Sequence, residues 1–182
     1  MDFDIYKATE KDIDTFFPFF EKSIQTEFQE YTANTKSYFI ETDYSKETIQ
    51  KSLREERMHL FLAKDNEKIV GFMLAMKTFA GIAFGNWITV DRKYQRHGIG
   101  KALLQVWEKH AVAEGAHKLH LWTDNRNVEF YKHQGFTLLG KIPDDYYGAD
   151  DYFFYKTLRK SDEKNYLKDF LEKCSNYENT KA

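Results

Sequence analysis

A single-domain mixed α/β (α+β) fold, built on a mostly antiparallel sheet with one parallel crossover and flanked by helices, follows from three observations on the sequence. Strand-like apolar runs alternate with helical patterns in the middle of the chain, a hairpin precedes them, and a pair of strands follows them. The 182 residues, 42% hydrophobic and 31% charged, suit one well-buried core in a soluble globular protein.

Taken in order, residues 3–8 alternate enough for a short first strand, and Thr9 with the acidic residues after it reads as a helix cap. Ile13, Phe16, Phe17, Phe20, Ile24 and Phe28 recur at helical spacing, so residues 13–28 form an amphipathic helix that carries Pro18. Residues 29–44 have no clean period; their tyrosines and Phe39 either fill a satellite cluster or line an acceptor groove. Ser45 caps a second helix that carries Ile49 and Leu53 inward and ends near Arg57. Residues 59–63 and 69–76 make the hairpin, and 83–90 a further strand. Leu103, Leu104, Trp107 and Ala111 give residues 101–113 an apolar helix face, with Gly115 as terminator. Residues 117–123 are a strand with Leu119, Leu121 and Thr123 on one face, 125–134 a short helix, and 136–142 and 152–158 the closing strands. From Ser161, Tyr166, Leu167, Phe170 and Leu171 mark an added helix in a C-terminal tail, residues 161–182, after a domain spanning 1–160.

Composition excludes several function classes. A net charge of −2 offers no concentrated basic surface for nucleic acid or an anionic membrane. No apolar run approaches the ~20 residues of a spanning helix, and Met1-Asp2-Phe3-Asp4 lacks the order of a signal peptide. Cys174 is the single cysteine, so no intrachain disulfide forms and a cytoplasmic location is expected. The histidines are scattered at 59, 97, 110, 117, 120 and 133, and no metal site is expected.

The chemistry concentrates on Gln95-Arg96-His97-Gly98-Ile99-Gly100-Lys101, between an apolar strand ending at Val90 and a helix. A glycine-rich turn into a helix start aims several backbone N–H groups at one spot with the positive end of the helix dipole behind them, which suits a phosphate. The alternative is a helix entry whose glycines serve only the turn.

Residues 90–104 resemble the pyrophosphate-binding motif of the GNAT superfamily, the acyl-CoA-dependent N-acetyltransferases. A second stretch, Asn127-Val128-Glu129-Phe130-Tyr131-Lys132-His133-Gln134-Gly135-Phe136, resembles that family's later motif of a helix with a Phe-Tyr pair ending in Gly-Phe. The resemblance spans roughly residues 60–158. It implies a sheet splayed into a V between the strand ending at Val90 and the strand 119–123, with acetyl-CoA as cosubstrate in the gap. It further implies backbone contacts from Ile88 and Val90 to the pantetheine arm, and a diphosphate held around Gln95, Arg96, His97, Gly98, Gly100 and Lys101. Asn125 and Asn127 are further implied cofactor contacts, and Tyr131 is the implied catalytic residue, a phenol that stays protonated at neutral pH and can protonate the leaving thiolate.

Many relatives carry a Glu in the strand before the turn, whereas residues 83–90 here contain no carboxylate. The base is then water held by Asn86 or Thr89, or a carboxylate from elsewhere. The acidic turn of Asp144, Asp145, Asp150 and Asp151 beside Tyr146 and Tyr147 would attract a cationic amine, either a small molecule or a protein N-terminus; the alternative is a solvated turn. Competing readings are a non-catalytic acyl-CoA-binding module and an interaction protein of the same fold, with the tail helix packing on its own sheet or in a homodimer.

Overall fold

The computed structural model describes residues 2–168, 170 and 171; Cys174 and the polar end expected after Leu171 lie outside the described residues. Seven strands form one sheet in the order β1-β2-β3-β4-β5-β7-β6: β1 Asp4–Lys7, β2 Met58–Asp65, β3 Lys68–Met76, β4 Ile82–Val90, β5 Lys118–Thr123, β6 Thr137–Ile142 and β7 Asp151–Thr157. Every pairing is antiparallel except β4 with β5, the two strands joined by the crossover helix α4, Ile99–Ala113. A crossover of that length is what a parallel pair requires.

The first 57 residues supply one face of the sheet. Helices α1 (Ile13–Glu27), α2 (Ala33–Tyr38) and α3 (Lys46–Arg54) cover it, and a π-helical turn, Phe39–Asp43, follows α2. Thr32 and Ser45 cap α2 and α3 by accepting from the N–H groups three residues on, as short helices need. Helix α3 ends at Arg54, short of the expected Arg57, because Glu56 turns the chain with φ +52°. Pro18 sits inside α1 without ending it. The apolar faces of these helices meet Leu60, Leu62, Phe72 and Leu74 in a core dominated by Phe16, Phe20, Phe39 and Trp87.

Phe61, Ala63, Met73, Leu119 and Leu121 project to the opposite face, where they meet Leu103, Leu104, Trp107 and Ala111 of α4. Helix α5 (Val128–His133) joins this second core through Val128 and Tyr131. Strands β2 and β3 are therefore buried on both faces, which explains their unbroken apolar runs. The short α6, Glu163–Tyr166, places Asn165 over Gly115 and Tyr166 near Gly81 and His117. No helix among the described residues is long and apolar enough to cross a membrane.

Candidate active site

The glycine turn begins where β4 stops. Asp91 accepts from the Lys93 N–H at 3.0 Å and starts a single 3-10 turn, and the Gln95 amide donates to the Val90 carbonyl at 3.0 Å. Arg96 (φ +63°) and Gly98 (φ +86°) then take left-handed conformations that fold the backbone back on itself before α4 starts. Among the described residues, no acceptor meets the backbone N–H groups from Arg96 to Lys101, and the first helical bond runs from the Ala102 N–H to the Gly98 carbonyl at 2.9 Å. This is a row of unsatisfied donors at the positive end of a fifteen-residue helix, the arrangement an anionic diphosphate requires. A side chain at Gly98 would meet nothing within 4 Å, whereas one at Gly100 would lie 3.4 Å from the Phe130 ring. Gly98 is thus required by its φ, whereas at Gly100 a side chain would begin in ordinary contact with Phe130. Arg96, His97 and Lys101 are exposed beside the donors.

Strands β4 and β5 pair from Ile82 opposite Lys118 to Gly85 opposite Leu121. Beyond that point β4 runs on to Val90 without this partner, so the sheet opens into the expected V. Asn86 is the extra residue of a bulge, since Leu74 faces Trp87 and Ala75 faces Gly85. Where the strands part lies a cavity of about 490 Å³, lined by Ile88 and Asn86 of β4, Trp122 and Thr123 of β5, and Asn127 and Tyr131 beyond it.

The far wall is aromatic and acidic. Phe28, Tyr31, Tyr44, Trp87 and Tyr146 line it together with Glu30, Asp124, Asp145 and Asp151. Trp87 is the hub, with its ring edge-on to Phe28 at 4.8 Å, Phe39 at 5.4 Å and Tyr44 at 5.4 Å. Arg126 spans two of the carboxylates, donating to Glu30 Oε2 at 2.8 Å and pairing with Asp124. Asp145 and Asp151 make no ion pair among the described residues.

Two titratable groups on this cavity have displaced proton affinities. Tyr131, 4% exposed, is held well above its ordinary value of 10.0, first by burial and then by the negative charge of Asp124. Asp151, 6% exposed, is pushed up to about 6 by burial, with the charges of Asp145, Glu30 and Asp124 adding to the effect and a backbone hydrogen bond from Tyr146 opposing it. Its Oδ2 is buried without a hydrogen-bond partner. The site thus holds a protonated phenol and a carboxylate that changes charge near neutral pH.

The residues singled out in the sequence divide clearly. Tyr131, Asn127 and Ile88 line the cavity, and Asn127 also donates to Asp124 at 3.4 Å. Asn125 is exposed on a 3-10 turn, Asn125–Asn127, and Val90 presents a carbonyl already engaged by Gln95. Within the acidic turn, Asp145 and Asp151 face the cavity, while Asp150 pairs with Lys141 and accepts from the Asp144 N–H. Asn86 is on the cavity but donates to the Tyr44 hydroxyl at 3.2 Å. No motif or periodicity in the sequence marks Glu30, Trp87 or Arg126, and none separates Asp151 from the three other aspartates of its turn. The register of Asp151 opposite Ile142, at the mouth of β7, is what turns it inward.

The described family that matches the sequence is the acetyltransferase (GNAT) family, over residues 17–136. Among solved structures, PaiA N-acetyltransferase from Thermoplasma acidophilum, crystallised with coenzyme A, is 21% identical with a TM-score of 0.72, over 86% of this chain and 99% of that one. The ribosomal-protein-S18-alanine N-acetyltransferase of Escherichia coli is 20% identical with a TM-score of 0.65, over 89% and 97%. A Bacillus anthracis protein named as a streptothricin acetyltransferase, in complex with acetyl coenzyme A, is 27% identical with a TM-score of 0.51, over 56% and 63%. The seven-stranded sheet, the parting of β4 from β5 and the donor-rich turn at α4 accord with the family match: the chain belongs to the acetyltransferase (GNAT) family.

Proposed function

We propose that the protein acetylates the nitrogen of a cationic primary amine by direct attack on acetyl-CoA, with Asp151 as general base and Tyr131 as general acid. The observation that carries this reading is the placement of a buried Asp151 carboxylate, with Oδ2 lacking a hydrogen-bond partner, and a buried Tyr131 phenol on one cavity. That cavity lies where β4 parts from β5, and the turn with the free N–H groups from Arg96 to Lys101 follows the end of β4. Acetyl-CoA supplies the thioester carbonyl and a thiolate leaving group. The N–H groups from Arg96 to Lys101 hold its diphosphate, with Arg96 and Lys101 adding positive charge.

On the acceptor side, Trp87, Tyr31 and Phe28 offer aromatic faces to an ammonium group, and Asp145 and Asp151 offer charge. Arg126 neutralises much of Glu30 and Asp124, so the uncompensated charge lies at the end of the cavity where Asp151 sits. The Asp151 carboxylate takes the proton that the ammonium must lose. The freed lone pair forms the C–N bond as the C–S bond breaks, the Tyr131 hydroxyl gives its proton to the departing sulfur, and the second proton that the acylated nitrogen sheds restores the phenol. No covalent bond to the protein is needed.

A panel of primary amines with a thiol-release readout tests this reading. Small amines with an apolar or aromatic body beside the ammonium are expected to release thiol, and neutral or anionic acceptors are not. Acetyl-CoA binding without thiol release for any amine would leave a binding module in place of an enzyme of this kind.

A further inference from the structure

Far from this cavity, the fold brings together three side chains that are dispersed in the sequence. His110 stands on the last turn of α4 and Glu114, four residues on, caps the end of the helix, with His59 of β2 beside both. The two imidazole rings meet edge-on at 4.4 Å. His59 Nε2 is 2.7 Å and His110 Nε2 3.5 Å from Glu114 Oε1. Both ring nitrogens are buried against the carboxylate oxygen, in ion-pair contacts where neither is well aligned for a hydrogen bond. The other carboxylate oxygen, Oε2, accepts from the Thr78 N–H at 3.1 Å, and the Thr78 hydroxyl beside it is also buried and unpartnered.

We propose that His59 Nε2, His110 Nε2 and Glu114 Oε1 bind one zinc-class divalent ion. One ligand atom from each residue lies within 4.8 Å of the others. Bonds of about 2.0–2.1 Å in tetrahedral geometry place neighbouring ligand atoms roughly 3.3 Å apart, between the two separations to Oε1. Binding requires the two rings to turn so that both lone pairs meet at one point. Two imidazoles and one carboxylate favour zinc over calcium or magnesium, which take oxygen ligands. The Thr78 N–H fixes the carboxylate through its other oxygen, as an outer-shell partner does.

His110 lies eleven residues beyond Ile99, so the ion would sit roughly 16 Å along α4 from the glycine turn, given a rise of about 1.5 Å per residue. Its role there is to tie the end of α4 to β2 and to the segment after β3, not to touch the reacting atoms.

The test uses the full chain, stripped with a chelator and titrated with zinc, then with cobalt as a spectroscopic substitute. The expected result is one equivalent bound, a rise in thermal midpoint with zinc, and the intense visible absorption of tetrahedral cobalt. His110→Gln and Glu114→Gln should each weaken binding by about tenfold or more, in keeping with the loss of a ligand. His110 is partly exposed, so His110→Gln is the variant best placed to fold normally, and circular dichroism checks that it does. No tetrahedral cobalt spectrum from the wild-type chain, or an unchanged spectrum and affinity in a folded His110→Gln variant, would overturn the proposal and leave an ion pair between Glu114 and its histidines.

Discussion

The two sides of the gap between β4 and β5 are built by different means. On one side a single contiguous stretch, Gln95 to Lys101, presents backbone N–H groups, and the demand on sequence falls mainly on φ at Gly98. On the other side, side chains from positions as far apart as Phe28 and Asp151 converge on one cavity, and their identity sets both charge and proton affinity. A cradle made of main chain suits one constant ligand, as proposed above for the diphosphate. A wall made of side chains can change its ligand one substitution at a time. Proteins similar to this chain are named for acceptors as different as streptothricin and a ribosomal protein.

Substitutions on each side should separate the two. The largest effect is expected for Tyr131→Phe, which keeps the buried ring and removes the proton donor. The rate of thiol release should fall by about 10² or more, with acetyl-CoA affinity little changed, as measured by single-turnover kinetics and calorimetry. An unchanged rate would take the phenol out of the reaction.

Asp151→Asn should slow the reaction by roughly 10 to 10² and stabilise the fold above pH 6. The sign follows from the raised proton affinity of Asp151 in the fold. Below its ordinary value of 3.8 the carboxyl is protonated both folded and unfolded and contributes nothing. As pH rises to about 6 the folded state gives up a proton that the unfolded state has already lost, and stability falls. A shift of this size corresponds to about 3 kcal/mol at most, so the variant's advantage in denaturant melts should reach a few kcal/mol at pH 7.5 and vanish near pH 4.

On the cradle side, Gly98→Ala places a Cβ in open space but at φ +86°. The strain of about 1 kcal/mol should weaken acetyl-CoA binding by roughly fivefold through a shifted turn, with little change in acceptor KM. The smallest effect is expected for Asp150→Asn. Its carboxylate pairs with Lys141 on the surface, so kcat and acceptor KM should move by less than about twofold. A larger change would place the acceptor on the outer face of the acidic turn.

Much of the architecture was legible because its signals are local and periodic. Leu103, Leu104, Trp107 and Ala111 repeat at helical spacing and are buried together under the sheet. Gly98 and Tyr131 stand in contiguous motifs, so their neighbours in sequence are also their neighbours in space. Four aspartates crowd the turn from 144 to 151, but which of them face inward depends on the register of β7 against β6. Glu30 and Arg126 meet across 96 positions, and His59 meets Glu114 through the packing of α4 on β2. Such encounters leave no pattern along the chain, since tertiary packing alone creates them.

The central claim is that Asp151 is the base on the acceptor side. The pH dependence of kcat/KM for an amine acceptor, compared between the wild-type chain and Asp151→Asn, tests it most directly. With Asp151 as base, the wild type should show an ascending limb with a midpoint near pH 6 that is lost in the variant, leaving only the limb that belongs to the amine itself. The same ascending limb in both proteins, at similar rates, would contradict it.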